Sequence, residues 1–142
     1  MKKLIVLLLI LTAKSVFAAD SNCDTITHWK LYKDSKAIWA SNYFDSKRLT
    51  IEIPVSEKFE NLNFEIFYDF NREILDRKVE LICEGKVIAV LNDKNYSYEK
   101  FIIPKSIFFD ANSKYFNQEI HIKYIDKINP KGIIIGIVNL RI

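Results

Sequence analysis

Few residues in this chain have the chemistry of a catalyst or a metal ligand, and their spacing decides how far each can go. There are two histidines, His28 and His121, and two cysteines, Cys23 and Cys83. A catalytic zinc ordinarily takes three protein ligands. His28 and His121 could be completed only by a carboxylate such as Asp24, and no ligand spacing joins the three. No metal site is expected. His121 reads instead as an outward strand residue sharing a face with Glu119 and Lys123. The cysteines lack Cys-x-x-Cys spacing, which argues against a redox pair. In an exported chain they read as a structural disulfide, Cys23–Cys83, closing a loop of about 60 residues and contributing roughly 4 kcal/mol on the chain-entropy account.

Carboxylates are the remaining route to catalysis. Glu65 and Asp69 alternate along one strand face, and Glu52 belongs to another strand. Paired carboxylates can hydrolyse glycosides, but alternating charge on a strand is ordinarily its solvated face, so no catalytic residue is assigned. The glycines exclude more. Only Gly85, Gly132 and Gly136 are present, too few and too scattered for a dinucleotide fingerprint or a P-loop. No G-x-S-x-G elbow exists either. The chain reads as a non-enzyme without a cofactor.

The aromatic residues carry a stronger signal. Trp29, Trp39, Tyr43, Phe44, Phe67, Tyr96 and Tyr98 exceed what one inner sheet face needs. Phe67 stands between Glu65 and Asp69 on the polar side of its strand, where an aromatic ring is either an interface anchor or the core of a second layer. The candidate interface is therefore Phe67, Glu65, Asp69, Trp29, Trp39 and Tyr98.

The elements that must position these residues are short strands. The pivotal stretch is Arg77 to Asp93, two strands joined at Glu84-Gly85, where Gly85 supplies the positive φ of a tight hairpin. A two-residue loop pairs Cys83 with Lys86, Leu81 with Ile88 and Val79 with Val90. Val79, Leu81, Cys83, Ile88 and Val90 then share one face. Upstream, strands are expected from about His28 to Lys33, from Ala37 to Tyr43 and over Leu49–Ile53, with Pro54 ending the last or placing it at a sheet edge. Asn63 to Phe70 alternates most clearly, with Phe64, Ile66, Tyr68 and Phe70 on one face. Downstream, Tyr96 to Ile103 is a strand stopped by Pro104. Residues 104–117 form a short helix capped by Ser106 or a packed loop. Glu119 to Ile125 points Ile120, Ile122 and Tyr124 inward. After the turn at Asn129-Pro130-Lys131-Gly132, Ile133 to Ile142 is a central strand covered on both sides at its start, with Gly136 at a bulge or close contact. Eight or nine short strands without a long helical period imply an all-β fold, an antiparallel sandwich of jelly-roll or immunoglobulin-like kind.

The N-terminus reads as a secretory signal peptide over residues 1–18. Lys2 and Lys3 form the basic region, Leu4 to Leu11 the apolar one, and Val16-Phe17-Ala18 the cleavage site. Eight strongly apolar residues are too few to cross a bilayer, which takes about 20. The 142 residues carry 21 basic and 18 acidic side chains. Residues 1–18 hold three lysines and no acid, so the remaining single domain, 19–142, has 18 of each sign and no net charge. No nucleic-acid surface and no stable membrane insertion are expected. The expectation is a small exported sandwich in the bacterial periplasm or at the cell surface that binds a protein partner, in the manner of an inhibitor or immunity protein. The alternatives are an envelope or fibre subunit that pairs through the Leu49–Pro54 edge, and a carbohydrate-binding module that stacks sugars on Trp29, Trp39 or Tyr98.

Overall fold

The structure is a computed structural model that describes residues 26–41, 50–69, 71–110 and 115–142. Alternating runs bounded by turn residues form nine strands among them: β1 (Ile26–Lys33), β2 (Lys36–Ser41), β3 (Thr50–Pro54), β4 (Asn61–Tyr68), β5 (Ile74–Cys83), β6 (Lys86–Tyr96), β7 (Phe101–Pro104), β8 (Glu119–Ile125) and β9 (Ile133–Arg141). The one helix among the described residues is a short α1 (Ser106–Asp110), so part of the stretch 104–117 takes the helical alternative. One sheet has the order β2-β1-β4-β7 and the other β3-β9-β8-β5-β6. This is the expected sandwich, with a parallel strand pair that departs from an antiparallel scheme. β3 runs parallel to β9, from Thr50 opposite Ile137 to Pro54 opposite Arg141. The chain changes sheets between β2 and β3, so no hairpin fixes the direction of β3 against its neighbour.

The Glu84-Gly85 hairpin forms, with Cys83 opposite Lys86. Both turn residues take positive φ, 49° and 74°, as a type I′ turn requires. Its register then departs from expectation. Ile82 faces Val87, but Leu81 faces Ala89 and Val79 faces Leu91, because a bulge inserts one extra residue into β6. The expected pairs Leu81–Ile88 and Val79–Val90 are therefore wrong by one. The bulge turns Val90 outward, where it is 49% exposed, and brings Ala89 and Leu91 against the core. β6 also continues to Tyr96, and a turn closed by Glu99 N donating to Tyr96 O at 3.1 Å separates it from β7. The single strand expected over Tyr96–Ile103 is thus two strands in different sheets.

Inward alternation builds the core. Trp29 and Leu31 of β1, and Phe64, Ile66 and Tyr68 of β4, meet Val79, Leu81, Ile122, Tyr124 and Val138 of the facing sheet. The Phe64 and Tyr124 rings pack edge to face at 5.3 Å. Each such buried aliphatic or aromatic side chain contributes roughly 1.5–3 kcal/mol by leaving water. β9 lies between β3 and β8 and is buried over Ile135–Val138, as its apolar run implied. A bulge disturbs its pairing with β8 next to Gly136.

Two buried polar residues fasten the layers. Arg77 is 1% exposed; its Nε donates to Asp93 Oδ1 at 2.7 Å, Nη2 donates to Asp93 Oδ2, and Nη1 donates to the carbonyls of Tyr96 at 2.9 Å and Glu99 at 2.6 Å. Asp126, 4% exposed, accepts from the hydroxyls of Tyr68 at 2.7 Å and Tyr124 at 2.8 Å, and from the backbone N–H groups of Ile128 and Asn129. The sandwich therefore has two distinguishable ends. Asp126, Tyr68 and the first residue of β1, Ile26 opposite Tyr68, mark one. Cys83, the Asp34-Ser35 turn after β1 and the segment 55–60 before β4 mark the other.

Candidate functional site

The outer face of the four-stranded sheet is where side chains of unlike chemistry converge. Trp29 and Leu31 point inward, so His28, Lys30 and Tyr32 point outward. The β1–β4 register sets His28 opposite Phe67, Lys30 opposite Glu65 and Tyr32 opposite Asn63. Phe67 is 39% exposed and stacks on the His28 imidazole with ring centres 5.0 Å apart and 16° between planes. The second-layer alternative for Phe67 thus fails, and its outward parity is real. The Tyr32 hydroxyl donates to Glu65 Oε1 at 2.5 Å, and Lys30 Nζ stands 3.7 Å from the same oxygen. Burial, together with Glu65, pushes the Tyr32 hydroxyl up to about 12. Lys100 Nζ lies 4.3 Å over the Tyr32 ring, and Ile102, opposite Asn63, is 57% exposed. Ile66 N donates to Ser97 O at 3.0 Å, which lays the Tyr96–Glu99 turn against β4 between Glu65 and Phe67. That turn carries Tyr98, 42% exposed and stacked on Tyr96 at 5.1 Å.

At the Asp34 end this face runs into two adjoining clefts of about 660 and 540 Å³. They share Asp34, Ser35, Lys58 and Phe59. Asp34, at φ 51°, holds the floor: its Oδ1 accepts from the backbone N–H groups of Glu60 at 3.0 Å and Asn61 at 2.8 Å, and its carbonyl accepts from Asn63 Nδ2 at 3.0 Å.

The other candidate interface residues divide. Trp29 is 3% exposed and belongs to the core. Trp39 faces Leu31 across β1–β2 and packs on the core, with its indole N–H buried and without an acceptor. Trp29 offers no ring for stacking a sugar, and Trp39 is partly buried. Asp69 is exposed just beyond β4. It lies four residue steps along the chain from Glu65, about 13 Å, beyond the spacing that glycoside hydrolysis uses. Glu52 belongs to the opposite sheet and receives Arg141 Nη2 at 2.8 Å. Glu65 is held by Tyr32 and Lys30.

His28 and His121 lie on different sheets, and His121 Nε2 has Glu119 Oε2 at 3.5 Å, the neighbour its parity implied. Among the described residues no three His, Cys, Asp or Glu side chains gather at metal-binding distance. Cys83 carries a free, buried thiol whose Sγ donates to Gln118 Oε1 at 3.0 Å. Burial, then Glu84, raises that thiol above its usual range. Cys23, like Asp24, Phe44, Tyr43 and the expected signal segment 1–18, lies outside the described residues, so the Cys23–Cys83 bond is not observed. The fold sets a condition on it, because Ile26 and Cys83 lie at opposite ends of the sandwich.

Arg77 and Asp126 were not anticipated, although parity marks both. Arg77 continues the inward series Cys83, Leu81, Val79 backwards, and Asp126 continues Ile120, Ile122, Tyr124 forwards. No helix among the described residues is long and apolar enough to cross a membrane. No protein-family model, curated protein or solved structure matches the chain.

Proposed function

We propose that the chain is an exported protein of the bacterial envelope that acts by binding a protein partner through the outer face of its four-stranded sheet, in the manner of an inhibitor or immunity protein. The observation that carries this reading is the outward Phe67 ring stacked on His28, with Ile102 exposed on the same face and Lys30, Glu65 and Lys100 around them. Exposed aromatic anchors ringed by charged groups are where binding energy concentrates in protein interfaces. Export rests on the signal-like N-terminus.

Immobilised mature protein, challenged with envelope extract, tests the reading. The wild type is expected to retain one stoichiometric partner, and Phe67→Asp with Ile102→Glu to lose it while keeping the fold by circular dichroism. Recovery of no partner, or equal recovery by the variant, defeats the proposal.

A second reading has one observation in its favour. β3 (Thr50–Pro54) is an edge strand, as an envelope subunit that pairs through the Leu49–Pro54 edge requires. Concentration-dependent assembly abolished by Ile51→Pro, with the monomer fold retained, would favour it over the first.

A further inference from the structure

Half of the lysines among the described residues have an acid beside them. Lys30 has Glu65, Lys33 has Glu57, Lys78 and Lys123 share Glu80, Lys94 has Asp76 and Lys127 has Glu73. Lys105 is held by the carbonyls of Val55 and Glu57. Lys36, Lys58 and Lys100 are exposed and have no acidic partner among the described residues, and all three border the two adjoining clefts at the Asp34 end. The carboxylates in the same lining do not offset them. Asp34 is committed through Oδ1 to two backbone N–H groups, and Glu57 grips Lys33 with both oxygens at 2.7 Å. Glu60 alone is an unengaged acid. Three unpaired cations against one free carboxylate leave a local positive excess on a chain that is neutral once residues 1–18 are removed.

We propose that this end of the face receives an acidic segment of the protein partner. The inference rests on the docking face proposed above and names the chemistry of what docks there. Lys36, Lys58 and Lys100 would each meet a carboxylate, and the half-buried Phe59, which lines both clefts beside Lys33 and Lys105, would border the apolar part of the segment. The free Glu60 carboxylate in the lining disfavours a uniformly anionic polymer or a lipid surface, on which charge is continuous. It suits a peptide whose acids are separated by uncharged residues. Lys100 links the two regions, because the same side chain that lines the cleft lies over Tyr32. Charges at the rim of an interface act on the rate of encounter and on its salt dependence more than on contact area.

The test uses the mature protein and a synthetic peptide of alternating glutamate and alanine, followed by amide chemical shifts at low and at physiological salt. Binding is expected to shift the amides of Asp34–Lys36, Lys58–Asn61 and Lys100. It is expected to weaken with salt, and to weaken about tenfold in K36Q/K58Q/K100Q, as follows from three modest surface pairs. The control K86Q/K131Q, which neutralises unpaired lysines elsewhere, is expected to bind like wild type. No binding, equal binding by the triple variant, or equal binding of anionic phosphatidylglycerol vesicles overturns the proposal. If a partner is captured and Phe67→Asp releases it but K36Q/K58Q/K100Q does not, the docking face stands and the acidic segment falls. If the peptide binds as expected and no partner is captured, the docking face falls and only the affinity of the clefts for separated carboxylates stands.

Discussion

The Tyr68 hydroxyl donates to Asp126 Oδ2 across 2.7 Å, joining the two sheets at a point 58 residues apart in sequence. Tyr124 donates to the same oxygen, and the other carboxylate oxygen holds the backbone of the turn between β8 and β9. Asn129 Nδ2 completes the network by donating to the Tyr68 oxygen at 2.7 Å. A carboxylate this buried is tolerated because every lone-pair direction has a donor. Asp126→Ala would strip acceptors from two hydroxyls and two backbone N–H groups. The expected loss is about 3–5 kcal/mol, read as a lowered urea midpoint by tryptophan fluorescence. Tyr68→Phe, which keeps the ring, is expected to lose only about 1–2 kcal/mol.

The same network makes stability fall in alkali. Burial, then the Tyr124 phenol, then Asp126 raise the Tyr68 hydroxyl far above its usual range, and burial with Asp126 does the same to Tyr124. In the unfolded chain both ionise near pH 10. Each folded hydroxyl therefore keeps a proton that the unfolded one releases. The contribution is complete below about pH 10 and shrinks as pH rises beyond it, by about 1.4 kcal/mol per pH unit for each phenol. Urea midpoints are expected to hold steady up to about pH 10 and then drop, with Tyr68→Phe and Tyr124→Phe each flattening the drop. A midpoint that stays level to pH 12 would show that these hydroxyls ionise in the folded state.

What the sequence disclosed, it disclosed through period-two alternation. Phe64, Ile66 and Tyr68 go in and Phe67 comes out because successive side chains must face opposite ways. The Glu84-Gly85 turn was legible because glycine marks positive φ. The bulge in β6 was not, since no glycine or proline announces it and the apolar string Val87–Leu91 fits either register. Trp29 entered the interface list on its ring alone, although its parity with Leu31 already placed it in the core. Arg77 and Asp126 were passed over because charged residues are rarely buried. Their burial depends on partners, Asp93 and the two tyrosines, that only the pairing of strands brings near. The unpaired lysines around Asp34 come from the start of β2 and the connections before β4 and β7, and leave no local pattern at all.

Arg77 allows a test of how much depends on such pairing. Its fork meets Asp93 across β5 and β6, clamps the Tyr96–Glu99 turn and lies 5.4 Å from the Phe101 ring. Arg77→Ala leaves the Asp93 carboxylate and two carbonyls without their donor. The expected destabilisation is about 3–5 kcal/mol. Arg77→Lys keeps the charge and loses the fork, so it should recover less than half of that. Because the clamp holds the turn beside Phe67, slower hydrogen exchange at Ser97–Glu99 in the wild type than in Arg77→Lys is the second readout.

Cys83 and Ile26 stand at opposite ends of the sandwich, and that separation bears on the cysteines. From Ile26 to Lys33, β1 advances about 23 Å toward the Cys83 end. Residues 23–25, even fully extended, reach about 10 Å from Ile26. A disulfide requires Cα atoms within about 4.4–6.8 Å. The folded monomer is accordingly expected to contain no Cys23–Cys83 bond, and Cys83 to react with a thiol reagent only on unfolding, because its thiol is buried and its ionisation suppressed. Peptide mapping without reductant checks this. A cross-linked Cys23–Cys83 peptide from native monomer would mean that the start of β1 leaves β4 to make the bond.

Two glycines at positive φ separate backbone conformation from space. Gly85, at φ +74°, has nothing within 4 Å of where a Cβ would sit, so Gly85→Ala should lose only the left-handed backbone penalty, about 1 kcal/mol. Gly132, at φ +76°, has the same backbone need, but a Cβ there would strike Lys123 Cε and come within 2.8 Å of Ile125 Cγ1. The lysine chain can swing away; Ile125, on β8 opposite Lys78, is fixed by the sheet. Gly132→Ala is therefore expected to cost about 1–3 kcal/mol beyond Gly85→Ala, the range for forcing atoms into filled space. Paired urea denaturation curves measure the difference directly. Equal losses would mean that the turn between β8 and β9 yields freely, which the hold of Asp126 on Ile128 and Asn129 opposes.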